Sequence, residues 1–300
     1  MNCENITLKS RDGYALSLSV FDTEAPRAVV KVIHGMEEHR GRYAGFAQYL
    51  QERGFAVVTA DMRGHGKDAP LLSHIADREG DIRLIEDEKE IMGWIRGRYP
   101  GVPMMLFAHS MGTIIARKLL QTESRAFEKV VLSGYPNPQS AAKIGITLTR
   151  TLVRFRGSRG HSRLVDGMVL GGFSKATPPE EGPLGWLSRN LENRERYAAD
   201  PLCGSPFTLG SYEALFCLIA DIDRPELYRD VKEDLPFLLI SGEEDPCTGG
   251  EQGRADSLDR LTRAGFRNIT VEVLPGMRHE ILNETEAGKV REIIGDFLAR

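Results

Sequence analysis

One serine constrains this chain more than any other residue. In Leu106-Phe107-Ala108-His109-Ser110-Met111-Gly112-Thr113 an apolar run turns into a helical one, with Ser110 at the junction. Val102 to Phe107 reads as a buried strand, and Met111 to Gln121 as a helix with Ile114, Ile115, Lys118 and Leu119 at helical spacing. A serine at such a joint sits on a sharp turn that pushes its Oγ out above the sheet. Its flanking residues must be small, because strand and helix backbones crowd together there. Ala108 stands where a glycine is usual, an addition of one methyl group. The joint has the geometry of a nucleophile elbow.

A serine hydroxyl is a poor nucleophile near pH 7, so it needs a base, a carboxylate to orient that base, and donors for the oxyanion. Candidates follow in the chain order serine, acid, histidine. The strand Val271-Glu272-Val273-Leu274 runs into Pro275-Gly276-Met277-Arg278-His279-Glu280, and of the seven histidines only His279 lies on such a loop. The strand Leu238-Leu239-Ile240-Ser241-Gly242 runs into Glu243-Glu244-Asp245-Pro246. Asp245 is favoured there, since the glycine and two intervening residues let the loop curl back and Pro246 stiffens the turn. Glu243 and Glu244 are read as solvated. The oxyanion donors are expected to be the backbone N–H groups of Met111, after the nucleophile, and Met36, which follows the strand and glycine of Val29 to Gly35. His34 is read as fixing that loop. Asp61-Met62-Arg63-Gly64-His65-Gly66 is read as a structural loop pinned by Arg63 or His65, since it offers neither metal-ligand spacing nor a phosphate-loop lysine.

Strand-like and helix-like segments alternate around these motifs. Leu16-Phe21, Ala28-Ile33, Ala56-Ala60, Lys129-Ser133, Pro236-Ser241 and Thr270-Leu274 read as strands. Arg42-Arg53, Asp81-Tyr99, Gly250-Ala264 and Ala287-Ala299 read as helices, and Arg11-Asp12-Gly13 signals an opening antiparallel hairpin. Such alternation implies a parallel sheet covered on both faces. From about Pro136 to Arg229 the rhythm breaks. This stretch is expected to be a helical cap inserted over the carboxyl ends of the strands, leaving 1–135 and 230–300 as the core. Ile144, Leu148, Leu152 and Phe155 mark one helix face in it, and Gly185-Trp186-Leu187 opens another candidate helix.

With 300 residues, 41% hydrophobic and 27% charged, the composition is that of an ordinary globular protein. A net charge of −4 gives no reason to expect nucleic acid as a partner. The polar stretch Met1 to Gly13 has no apolar core of a signal peptide, so a cytoplasmic location is expected. The cysteines (Cys3, Cys203, Cys217, Cys247) show no metal-ligand spacing, and reduced thiols are expected. Cys247, two residues past Asp245, is read as a loop cysteine with no role, the alternative being that it approaches the pocket.

Taken together, His34 to Tyr43, Asp61 to Gly66, Ala108 to Gly112, Ser241 to Pro246 and Gly276 to Glu284 resemble the α/β-hydrolase superfamily, in its monoglyceride lipase and lysophospholipase-like branch. The resemblance implies an α/β fold with an eight-stranded, mostly parallel sheet flanked by helices, and a cap after the sixth strand. It also implies a Ser110-Asp245-His279 triad, no metal and no cofactor. In that branch the residues matching Glu38 and Arg42 lie near the alcohol end of the substrate, so both are candidate substrate-binding residues. The branch carries a second histidine three residues after the catalytic one, where this chain has Leu282.

The expected function is hydrolysis of a lipid-like or medium-sized acyl ester, of monoacylglycerol or lysophospholipid type. Acyl transfer, aminopeptidase or iminopeptidase action, and a non-catalytic binding role are the alternatives. An iminopeptidase needs acidic cap residues to hold the substrate's amine, for which Glu180, Glu181 and Glu192 are candidates. From Lys143 to Lys175 seven basic residues (Lys143, Arg150, Arg154, Arg156, Arg159, Arg163, Lys175) face one acid, Asp166. Such a cap is suited to transient contact with a membrane surface. The sequence leaves the oligomeric state open.

Overall fold

The chain enters its sheet through a hairpin. In this computed structural model the described residues are 3–137 and 142–300. Met1 and Asn2 of the polar N-terminal stretch, and residues 138–141 of the expected cap, lie outside the described residues. Strands β1 (Cys3–Lys9) and β2 (Ala15–Phe21) pair antiparallel across the turn that Arg11-Asp12-Gly13 signalled. Then follow β3 (Ala28–Ile33), β4 (Phe55–Ala60), β5 (Met104–His109), β6 (Lys129–Ser133), β7 (Phe237–Gly242) and β8 (Ile269–Leu274). The order across the sheet is β1-β2-β4-β3-β5-β6-β7-β8, with β2 antiparallel to β4 and every later pair parallel.

β3, β4, β5 and β7 are buried along their whole length, which requires apolar residues at both parities of the pleat. In β3, Val29 and Ile33 join the layer that contains α2 (Gly80–Arg98) and α3 (Met111–Glu123). Ala28, Val30 and Val32 join the opposite layer, with α1 (Ala44–Glu52) and α9 (Ala287–Ala299). Lys31 interrupts this strand, is 1% exposed, and pairs with Glu88 of α2. An ammonium buried there without that carboxylate would be strongly destabilising. α1 is shorter than the expected Arg42–Arg53, because residues Arg40–Tyr43 form a separate 3-10 turn capped by the His39 ring.

Between β6 and β7 the described residues form α4 (Ala142–Arg156), α5 (Arg163–Val169), α6 (Leu191–Ala199) and α7 (Leu209–Ile222). Gly185-Trp186-Leu187 makes a single 3-10 turn and opens no helix; α6 starts at Leu191. α4 departs from the reading of its apolar face. Ile144 is 66% and Phe155 79% exposed, and the packed side is Ala142, Gly145 and Thr149. The reason is the approach of α7, since a Cβ on Gly145 would come within 2.6 Å of the Phe216 ring. Small residues make that contact; Leu148 and Leu152 of the expected face are half-buried against the core, and only Ile144 and Phe155 are left on the outside.

The same closeness governs the elbow. A Cβ on Gly112 would lie 2.5 Å from the carbonyl oxygens of both Ile33 and His34. Ala108, by contrast, is fully buried inside β5 between β3 and β6, and its methyl group is accommodated. Gly112→Ala is therefore expected to destabilise by about 1–3 kcal/mol through overpacking. A urea titration should show a lower midpoint at unchanged slope.

Candidate active site

The carboxyl ends of β3, β5, β7 and β8 supply the site, the edge where open α/β sheets bind ligands. Ser110 follows β5 with φ 51 and ψ −124, a sparsely populated region for a residue with a side chain. Its backbone is held from both sides. The Ser110 N–H donates to Ser133 O at 3.0 Å, and its carbonyl accepts the Thr113 N–H at 2.8 Å and the Thr113 hydroxyl at 2.7 Å. The turn is thus fixed before any chemistry begins.

Ser110 Oγ lies 2.8 Å from His279 Nε2, and His279 Nδ1 lies 3.0 Å from Asp245 Oδ2. With the proton on Nδ1 the ring donates to Asp245, and Nε2 is free to accept from the serine. Asp245 uses its other oxygen locally, accepting the Cys247 N–H at 2.9 Å, so it cannot swing away from the histidine. The two loops are joined by main-chain bonds from Glu243 N–H to Leu274 O and from Glu244 N–H to Met277 O. Only glycine fits at position 242, where a Cβ would lie 2.2 Å from Met277 O. Glu243 and Glu244 stay outside, and Glu244 pairs with Arg189.

Burial works against a charged imidazole at His279. Asp245, with Glu280 and Glu38 behind it, outweighs that and raises the pKa above the ordinary 6.5. His109, whose ring centroid is 4.7 Å from that of His279, is held down to about 4 by burial and by its charged neighbour. His34 is likewise neutral, pulled well down by burial. Its Nδ1 donates to Gly35 O at 2.8 Å and its Nε2 accepts the Met62 N–H at 3.0 Å, so it ties the loop after β3 to the loop after β4. Arg63 pins the latter by pairing with Asp87 and Asp12, and the His65 ring bonds Arg63 O.

Glu38 and Arg42 sit in a buried network. One Glu38 oxygen accepts the Gly35 N–H at 2.6 Å and the Tyr43 hydroxyl at 2.8 Å. The other faces Arg42 at 3.0 Å. Arg42 is shared with Glu280 and Asn193, and its guanidinium lies 5.0 Å over the Tyr197 ring. Burial alone would raise the Glu280 pKa, but Arg42 and Asn193 hold it below the ordinary range. Glu38 lines the pocket, and Arg42 stands behind it.

That pocket is a cavity of about 390 Å³ bordered by Ser110, His279, Met36, Met111 and Cys247. Its volume is within the roughly 300–1,000 Å³ typical of small-molecule sites. Its far walls are apolar residues of the β6–β7 segment: Met168, Leu170, Phe173, Trp186, Leu215 and Phe216. Glu181 pairs with Arg278 and Arg194, and the exposed Glu192 with Arg196, so these acids are directed elsewhere. Among the described residues two groups gather metal-ligating atoms within 4.8 Å, namely His39, Asp200 and Cys203, and Asp245, Cys247 and His279. In each, the histidine already bonds the aspartate.

Several contributors were missed from the sequence. The Arg278 side chain bonds Gly185 O at 2.7 Å. Glu284 accepts the N–H groups of Arg278 and Arg189 and the Ser188 hydroxyl. These bonds cross between the His279 loop and residues 185–189, and only the glutamate's inclusion in a motif block hinted at them.

Fold and site together define a serine hydrolase of the α/β-hydrolase class. The chain belongs to the serine aminopeptidase S33 family, whose model matches residues 24–286. It is 28% identical to the monoacylglycerol lipase of Mycolicibacterium smegmatis over 281 residues, covering 92% of this chain and 89% of that one. It is 35% identical to the monoglyceride lipase homolog of monkeypox virus over 265 residues, covering 88% and 86%. The fold is shared with a thermostable carboxyl esterase from Bacillus coagulans solved with glycerol, at a TM-score of 0.91 and 24% identity over 100% and 98% of the two chains.

The raised pKa of His279 gives a pH prediction. A base must be unprotonated to act, so kcat/KM should rise through a limb above pH 6.5. In Asp245→Asn the limb should move to lower pH, because the carboxylate that favoured the imidazolium is gone. kcat should also fall on the order of 10⁴-fold. A limb that stays in place would show that Asp245 does not set the pKa.

Proposed function

We propose that the protein hydrolyses carboxylic esters with a lipid-like or medium-sized acyl group, using Ser110 as nucleophile, His279 as general base and Asp245 as its orienting carboxylate. The observation that carries this is the hydrogen-bonded line Ser110–His279–Asp245 at the border of an apolar-walled cavity. His279 takes the Ser110 proton as Oγ attacks the acyl carbon, and the N–H groups of Met36 and Met111 receive the oxyanion. The imidazolium then returns its proton to the departing alcohol. Water, deprotonated by the same ring, releases the acid from the acyl-enzyme. No cofactor enters these steps. Glu38 acts as a positioning residue, holding the loop of Met36 through the Gly35 N–H, and presents a polar wall to the alcohol; Arg42 fixes Glu38. Residues 136–229 serve as the cap, and of the two expected substrate types, monoacylglycerol and lysophospholipid, the first accords with the names of the relatives. We place the protein in the cytoplasm.

The test is hydrolysis of p-nitrophenyl esters from acetate to palmitate. Activity should peak at a medium or long chain and fall on the order of 10⁴-fold or more in Ser110→Ala. Equal rates in both proteins would remove Ser110 from the mechanism.

The outer face of the cap supports a second part of the reading. Ile144, Phe155, Leu164 and Met168 are exposed on α4 and α5, among the exposed Lys143, Arg154, Arg156 and Arg163. No described helix is long and apolar enough to cross a membrane. Apolar side chains ringed by cations suit shallow, reversible contact with an anionic lipid surface. Co-sedimentation with phosphatidylserine vesicles should be lost in Ile144→Ser/Phe155→Ser and weakened by salt. Vesicle binding unchanged in that variant would reject this surface.

A further inference from the structure

His39, Asp200 and Cys203 meet where the loop after β3 touches the turn that follows α6. His39 and Asp200 lie 161 positions apart in the chain, yet an imidazole nitrogen, a carboxylate oxygen and the Cys203 sulfur all sit within 4.8 Å of one another. None of the three borders the cavity that Ser110 borders. Each is half-buried, with the His39 and Asp200 side chains 16% and 29% exposed, so ions can reach the group. The other such group, Asp245, Cys247 and His279, is fully buried, and its ring is committed to Ser110.

The backbone holds these donors in place. Asp200 precedes Pro201, which favours the extended conformation seen there, φ −82 and ψ 115. Its Oδ1 accepts the Leu202 N–H at 2.9 Å and its carbonyl accepts the Cys203 N–H at 3.0 Å, so one tight turn presents Oδ2 and Sγ together. Beside it, the Gly204 N–H and the Tyr197 hydroxyl both donate to Glu37 O at 2.9 Å, which seats the turn on the loop after β3. On the loop's side, His39 Nε2 donates to Asp200 Oδ2 at 2.9 Å, and Nδ1 accepts the Gly41 N–H at 3.2 Å. Cys203 Sγ makes no hydrogen bond among the described residues. It feels Asp200, Glu38 and Glu280 against one cation, Arg42, so the charge around the sulfur is net negative.

We propose that His39, Asp200 and Cys203 form a binding site for a divalent cation of the zinc class, which staples the β6–β7 segment to the loop that carries Met36. Thiolate, imidazole and carboxylate together select zinc or cobalt over magnesium or calcium, which prefer all-oxygen shells. Bonds of about 2.0–2.3 Å to a tetrahedral ion put neighbouring donors about 3.3–3.8 Å apart, so side-chain shifts of about 1 Å complete the geometry, with water as fourth ligand. The ion takes the Nε2 lone pair of His39. The proton there moves to Nδ1, whose present partner Gly41 is exposed and turns to water. Burial pushes the Cys203 thiol up to about 12, and a coordinating ion displaces that proton to solvent. The two negative charges of Asp200 and the thiolate then match the charge of the ion. The site is independent of the ester-hydrolase reading, since none of its residues acts in that chemistry.

Cobalt(II) added to the full chain after dialysis against chelator tests it, because a cobalt–thiolate bond gives a near-ultraviolet charge-transfer band. One ion per chain should bind with that band, and zinc should abolish the band by displacing cobalt. The band should vanish in Cys203→Ser and persist in Cys247→Ser. Asp200→Asn keeps an acceptor for His39 but removes the charge, and it should weaken zinc binding at least tenfold by calorimetry. His39→Gln should do the same. Zinc at a hundredfold excess over its Kd should raise Tm by about 4 °C in the unaltered chain and not in Cys203→Ser. No band at all, or a band retained in Cys203→Ser, overturns the site. A band lost in Cys247→Ser assigns the ion to the Asp245 group and overturns it too. Zinc affinity unmoved in both Asp200→Asn and His39→Gln would show an adventitious ion only.

Discussion

No side-chain atom separates α3 from the end of β3, and the site depends on that contact. Because Gly112 has no Cβ, the helix after Ser110 comes against the carbonyls of Ile33 and His34. This brings the start of α3 next to the loop that carries Met36. The N-terminal N–H groups of a helix lack intrahelical partners, and here one of them borders the same cavity as the loop amide. A larger residue at 112 would part the two elements, and with them the two donors proposed for the oxyanion. The strained turn at Ser110 belongs to the same arrangement, since its backbone bonds to Ser133 and Thr113 leave it no relaxed alternative.

A second dependence is electrostatic. Arg42 is one buried cation between two buried carboxylates, Glu38 and Glu280, on loops far apart in sequence. Removing Arg42 would strand two buried carboxylates without a cation, which is more destabilising than the intact group is stabilising. Through Gly35 the network reaches the loop that carries Met36, and through Glu280 it reaches the residue beside His279. It therefore sets the distance between the two halves of the site, and its excess negative charge favours the protonated ring at His279.

Much of this was legible in the sequence because it depends on chain order. The strand ends that carry Ser110, Asp245 and His279 lie side by side whenever β5, β7 and β8 share a parallel sheet, and the apolar runs showed those strands. The loop-fixing part of His34 and the pinning of the next turn by Arg63 or His65 were read from the loops that follow β3 and β4. The bonds between residues 185–189 and the His279 loop were not legible, since Arg278 and Glu284 look like any surface charge until that segment is placed over them. The face of α4 misled only in part, at Ile144 and Phe155, and for a different reason; Leu148 and Leu152 do pack against the core. Periodicity reports the side with bulky apolar residues, but α7 approaches the side with Gly145, and a glycine carries no hydropathy signal.

The bonds that tie residues 185–189 to the His279 loop have a consequence for access to the cavity. Trp186 and Leu187 supply the carbonyls that accept the N–H groups of His279 and Glu280, and the Trp186 ring lies 5.1 Å from the imidazole. This segment cannot lift without breaking its bonds to the His279 loop. On the other side, α4 and α5 turn Ile144, Phe155, Leu164 and Met168 outward. Residues 185–189 are thus the side of the β6–β7 segment bonded to the His279 loop, and α4 and α5 are the side that carries exposed apolar residues.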